Sequence, residues 1–170
     1  MADVSFRTAT PSDAEALARA MIDGLELYRA FAPPDWDPPP LDEEIEYTRR
    51  LLGDDDAWCL IAEADGELVG QVSVLPAARS RTPTAEPGLA HFRNLFVHPD
   101  HWGTGLARRL HDAAVAEARR RGFTAMRLVV AAGYGRARRF YEREGWAPAS
   151  EEFYNPVPRL VVLEYRRTLR

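Results

Sequence analysis

Two periods of apolar residues run along this chain, and the switches between them outline its elements. Residues 4–8 read as a short first strand. The stretch Thr10-Pro11-Ser12-Asp13 then supplies helix-capping chemistry with a proline near the first turn. Leu17, Met21, Leu25 and Tyr28 follow at spacings of three and four, the single stripe of an amphipathic helix reaching to about residue 29. Five prolines within residues 33–40 exclude helix and central strand there and leave a stiff loop. A second helix fits residues 41–52, with Ile45, Thr48 and Leu52 on one side and Gly53 as its stop. Residues 57–64 and 67–75 flank Asp65-Gly66, the short-range signal of a hairpin. A polar connection over residues 76–88 leads to a strand at 89–97 and a helix at 106–121, its stripe Leu106, Leu110, Ala114 and Ala118 and its end Gly122. A strand at 124–130, a short helix at 135–144 closed by Gly145, and a final strand at 160–165 complete the order. That order predicts one α/β domain over residues 4–170, built on a mixed sheet.

Composition narrows the class. With 170 residues, 46% hydrophobic and 28% charged, the chain has the make-up of a globular domain and not of a disordered or fibrous one. It has no apolar run long enough to span a bilayer, and the start Met1-Ala2-Asp3-Val4-Ser5 lacks the features of a signal peptide, so a cytoplasmic protein without membrane contact is expected. Cys59 is the only cysteine, which excludes an internal disulfide and a cysteine-based zinc site and reads as a small core residue. No metal site is expected, since nothing in the spacing of His98, His101 and His111 suggests ligands. All 22 basic residues are arginine, and they are unevenly spread: residues 1–88 carry eighteen acids against seven arginines, residues 89–170 eight against fifteen, leaving the halves at −11 and +7. The second half therefore favours an anionic ligand.

The residues that would hold such a ligand lie where strand becomes helix, in Asn94-Leu95-Phe96-Val97-His98-Pro99-Asp100-His101-Trp102-Gly103-Thr104-Gly105-Leu106-Ala107-Arg108. Gly103 and Gly105 can turn successive N–H groups toward one point, and the helix N-terminus adds the positive end of its dipole: a cradle for a pyrophosphate. Small Ala107 lets a ligand approach, and Arg108 offers a charged contact. A chain without lysine cannot carry a P-loop, and Arg108 stands where a dinucleotide fingerprint needs its third small residue.

These residues resemble the GCN5-related N-acetyltransferases (GNAT). That family's signature of Arg or Gln, two residues, Gly, one residue, then Gly or Ala falls on residues 102–107, with Trp102 in place of the usual first residue. Leu95-Phe96-Val97-His98-Pro99 is similar to the family's fourth strand, and residues 136–146 to its last motif; Tyr134 stands where many members have asparagine. The resemblance implies a mostly antiparallel sheet flanked by about four helices and splayed between its fourth and fifth strands, with the pantetheine arm of acetyl-CoA in the split. Its amides would pair with the backbone of Leu95 and Val97. Phe96, Trp102, Gly103, Thr104, Gly105, Leu106, Ala107, Arg108 and Tyr134 would complete the cofactor site.

The reaction so implied is direct attack of the neutral primary amine of a small molecule or peptide on the thioester, which asks for a base, a donor to the carbonyl oxygen and an acid for the departing sulfur. The resemblance assigns the acid to Tyr141 and the oxygen donor to a backbone N–H within residues 95–97. His91, six residues before Val97 where many members place a glutamate, is the candidate base. Strand alternation sets Asn94, which could orient a water or the substrate, on the face opposite His91. The acceptor should meet the first two helices and their loop, where Tyr28 and Trp36 stand with Tyr47, Asp35, Asp37, Glu43 and Glu44; acids among aromatics suit a cationic amine. A non-catalytic acyl-CoA-binding module of the same fold is the alternative. Nucleic-acid binding is not expected, because the +7 half lacks interleaved aromatics. The last strand, at a sheet edge, permits a homodimer.

Overall fold

The computed structural model describes residues 3–170. In chain order these form β1 (Val4–Thr8), α1 (Ala14–Leu25), α2 (Leu41–Leu52), β2 (Trp58–Ala64), β3 (Glu67–Pro76), β4 (Leu89–Val97), α3 (Leu106–Arg120), β5 (Ala125–Ala131), α4 (Gly135–Arg143), β6 (Ala147–Pro148), β7 (Phe153–Asn155) and β8 (Leu160–Thr168). The sheet order is β1-β2-β3-β4-β5-β8-β6, so the last strand, expected at an edge, instead lies inside the sheet between β5 and β6, with β7 pairing its far part. Every neighbouring pair is antiparallel except β4 and β5. The Asp65-Gly66 turn takes φ of 53° and 80°, as a two-residue hairpin loop requires, and sets Ala64 opposite Glu67.

The split expected of the sheet is present. β4 and β5 pair only at Leu89–Ala125, Ala90–Met126 and His91–Arg127, and beyond His91 they diverge. Two covered faces make the divergence stable. On one, α3 buries Leu106, Leu110, Ala114 and Ala118 against Val72, Val74 and Phe92, with Ala137 and Tyr141 of α4 packed alongside. On the other, α1 and α2 cover the strands, and the buried Gln71 amide donates to the Leu17 carbonyl at 3.0 Å to hold α1 in place.

Three departures from the periodicity have local causes. The first helix ends at Leu25 and continues as a 3-10 turn over Glu26–Ala30; one residue earlier, a Cβ on Gly24 would stand 2.7 Å from the Phe96 ring, so the chain here is pressed against β4. β6 and β7 span only two and three residues, too short to display any period. β4 is interrupted: between Gln71 and Ser73 of β3 its register slips, and Asn94 takes φ 54°, a left-handed conformation that asparagine tolerates better than most residues. The extra residue reverses the alternation. His91 and Arg93 face the α1–α2 side, and past the bulge so does Phe96, whereas Phe92, Leu95 and Val97 pack in the α3 core.

Candidate active site

Two cavities occupy the split. The larger, about 540 Å³, is lined by the diverging part of β4, the turn into α3, and α4. The smaller, about 200 Å³, lies on the α1–α2 side. They share Met21, Leu25, Tyr28, Asn94 and Val129, so they meet at the bulge. The parity reversal therefore brings Asn94 and His91 into one cavity, contrary to simple alternation.

The larger cavity gathers Leu95, Phe96, Val97, Trp102, Gly103, Gly105, Leu106, Ala107, Arg108, Tyr134 and Tyr141. Thr104 does not line it; its hydroxyl donates to the His101 carbonyl at 2.6 Å and stiffens the turn. Gly103 and Gly105 take φ of 76° and 84°, and a Cβ built on either meets nothing within 4 Å, so the space beside both backbones is open. Gly105 caps α3 without a side-chain acceptor of its own; the Leu106 N–H reaches the Thr104 hydroxyl at 3.4 Å, and the Ala107 and Arg108 N–H groups of the first turn have no hydrogen-bond partner among the described residues. This open, positively polarised turn fits a pyrophosphate. Trp102 donates from its indole to the Val97 carbonyl at 2.9 Å, and the Arg136 guanidinium of α4 stands 3.7 Å from its ring, returning a cation beside the position where the family signature has Arg or Gln.

Tyr141 packs edge-on against Phe92, Phe140 and Trp146 while facing the larger cavity. Burial, with the Tyr28 and Tyr134 hydroxyls nearby, pushes its ionisation far above the ordinary tyrosine range, so the O–H keeps its proton. Tyr28 stands at the junction of the cavities, 5.0 Å from the Tyr134 ring centroid, and is likewise raised by burial. Trp36 lines neither cavity. It is 4% exposed, stacked behind Tyr28, with its indole donating to the Pro158 carbonyl at 2.7 Å: it supports the aromatic wall without reaching the space inside.

His91 lies in the smaller cavity, where its surroundings favour the neutral imidazole. Desolvation first, then the positive Arg127 and Arg93, pull its pKa down to about 3. It is a neutral imidazole whose Nδ1 is buried without a hydrogen-bond partner among the described residues. The expected acidic lining is also corrected. Asp35, Asp37 and Glu43 are exposed to solvent, and Asp37 pairs with Arg29. Of the acids on α2 only Glu44 turns inward, 1% exposed and ion-paired with Arg81. Arg93, two residues beyond His91 on the same face, escaped the sequence reading although period two along a strand points to it.

In the walls of the smaller cavity, Glu44 Oε2, the Tyr47 hydroxyl and His91 Nδ1 are buried without a partner among the described residues, each at a cost of about 1–3 kcal/mol. His111, Asp112 and Glu144 also lie close together, but His111 Nε2 accepts from the Trp146 indole at 2.9 Å and Nδ1 bonds Asp112 at 2.9 Å, so the imidazole is satisfied as a core hydrogen-bonding group.

The split between β4 and β5 ends in an open, glycine-built turn at the start of α3. The profile of the Acetyltransferase (GNAT) family matches residues 21–146, and the chain belongs to that family. A mycothiol acetyltransferase from Cellulomonas flavigena is 34% identical over 107 residues, a match spanning 61% of this chain and 31% of that protein. Among solved structures, a GNAT-family acetyltransferase from Staphylococcus aureus Mu50 superposes with a TM-score of 0.76 at 13% identity, covering 99% of this chain and 100% of that one. The PaiA N-acetyltransferase from Thermoplasma acidophilum, solved in complex with coenzyme A, superposes with a TM-score of 0.69 at 16% identity over 95% and 98% of the two chains. No helix among the described residues is long and apolar enough to cross a membrane.

Proposed function

We propose that this protein is an N-acetyltransferase that moves an acetyl group from acetyl-CoA to the primary amine of a small molecule. The observation that carries the reading is the meeting of two cavities at Asn94 and Tyr28, one ending in the open Gly103–Gly105 turn and the other walled by polar residues that include Glu44, Arg81, His91 and Arg93. The relative's name supports acetyl as the transferred group, and the neighbour solved with coenzyme A supports the donor.

Bound in the larger cavity, acetyl-CoA supplies an activated acetyl thioester. The N–H groups of the turn and of the first turn of α3 hold its phosphates, with Arg108 and Arg136 as cations at the rim. The β4 backbone beyond His91, unpaired toward β5, offers groups to the pantetheine amides. Tyr141 keeps its proton and donates it to the departing sulfur. His91, neutral, serves as a hydrogen-bonding group for the acceptor; the amine attacks as its free base, and the proton its nitrogen sheds on forming the amide passes through water to solvent, which reprotonates Tyr141.

The reading is tested by thermal unfolding with and without acetyl-CoA, using ATP and NAD as controls, followed by CoA release with a panel of amines. At one hundred times the dissociation constant the gain is about 2.7 kcal/mol, or about 5–10 °C for a chain of this size. A rise with acetyl-CoA alone, followed by amine-dependent CoA release, is expected; no rise, or an equal rise with ATP and NAD, refutes the donor assignment.

A further inference from the structure

The charge inside the smaller cavity is not balanced. Glu44 is the one carboxylate among the residues lining it, and it is already ion-paired with Arg81. Arg93 also lines this space, and its guanidinium forms no ion pair or hydrogen bond among the described residues. Arg81 and Arg93 stand over the Tyr47 ring at 3.9 and 4.9 Å, so both are held in place by the same side chain. Arg127 fastens the connection that carries Arg81, through Ser80 Oγ at 2.6 Å, Thr84 Oγ1 at 2.8 Å and the Thr82 carbonyl. His91 is uncharged. Two guanidiniums and one carboxylate leave a net positive charge around this half-open space, an arrangement that favours an anion there.

We infer that the acceptor carries a carboxylate as well as its amine, and that Arg93 binds the carboxylate. This rests on the transferase reading of the same site and names its substrate class: a small amino-carboxylate. A guanidinium fork matches a carboxylate with two parallel hydrogen bonds, and burial beside Tyr47 presents it preorganised. Glu44 Oε2, the Tyr47 hydroxyl and His91 Nδ1 are buried and unpartnered in the walls of the same space. At about 200 Å³ the cavity falls below the ~300–1,000 Å³ of sites for drug-sized ligands, which fits a molecule of amino-acid size. The same positive charge favours the neutral, reactive form of an amine brought beside it.

The test titrates the CoA-saturated protein calorimetrically with each of the twenty common amino acids, the carboxamide of each, and O-phosphoethanolamine. At least one amino acid is expected to bind about ten- to a hundredfold more tightly than its carboxamide. That preference should fall below about threefold in Arg93→Gln and return in part in Arg93→Lys, which restores the charge without the fork. Melting temperature and CoA affinity check that the variants fold; should Arg93→Gln fail to fold, the wild-type pairs and Arg93→Lys decide. Equal binding of acids and carboxamides, a preference that survives Arg93→Gln, no binding by any member of the panel, or tighter binding of the phosphate-bearing amine than of every amino acid overturns the inference. CoA release on the same panel separates the two readings: carboxylate-dependent binding without turnover removes the transferase, whereas turnover without carboxylate preference removes the carboxylate.

Discussion

His91 makes the stability of this protein depend on pH in a direction and amount that follow from its surroundings. Folding buries the imidazole to 9% exposure beside Arg93 and Arg127 and pulls its pKa from 6.5 down to about 3. A depressed histidine pKa means that its neutral form is free of penalty above about pH 6.5. Stability is then lost as pH falls from there toward 3, because the unfolded chain takes up a proton that the folded one refuses. Near pH 5 the gap below 6.5 is about one and a half units, and at ~1.36 kcal/mol per unit the loss is about 2 kcal/mol. His111, fully buried and also depressed, adds to the loss in the same direction. Asp13 and Glu117, held near 2 by Arg7 and Arg120, lose their contributions at lower pH and weigh little in this window. The assay is urea unfolding of wild type and His91→Gln at pH 7.5 and pH 5.0, with matched salt. Wild type should lose at least about 2 kcal/mol between them, equivalent to about 4–8 °C in melting temperature, and the variant about 2 kcal/mol less. An unchanged pH slope in His91→Gln, or an NMR titration of the His91 ring with a midpoint near 6.5, would refute the reasoning.

Two further outcomes follow from the larger cavity. Gly105→Ala puts a side chain on a residue at φ 84°, costing about 1–2 kcal/mol of stability, and its methyl enters the open turn; acetyl-CoA affinity should fall more than the melting temperature suggests, and a variant that binds acetyl-CoA as wild type does would place the phosphates elsewhere. Tyr141→Phe should lower kcat by about 10²–10⁴ while leaving the affinity for acetyl-CoA near wild type, since the ring packing against Phe92 and Trp146 survives; equal loss of both would reduce its role to packing.

Much of this molecule was written in short-range rules. The Asp65-Gly66 hairpin, the Gly103–Gly105 turn into α3 and the stripe of Leu106, Leu110, Ala114 and Ala118 each depend on residues within one or two turns of one another, so periodicity and turn chemistry found them. The order of strands and helices followed, and motif resemblance added the split between the fourth and fifth strands. Tertiary structure decided what faces what. The bulge at Asn94 reverses every side chain after it, and no period in the sequence announces it, because it shows only in the pairing of β4 with β3. An acid count over the first half pointed to a cationic acceptor, but charge counts ignore direction: Asp35, Asp37 and Glu43 turn to water, while Glu44 meets Arg81 thirty-seven residues away. Trp36, equally eligible by sequence to touch a substrate, is fixed behind Tyr28 by a hydrogen bond to a carbonyl 122 residues distant. The state of His91 was likewise out of reach, since a pKa is set by the solvent and charges that packing removes or brings near, here Arg93 on its own strand and Arg127 on the next.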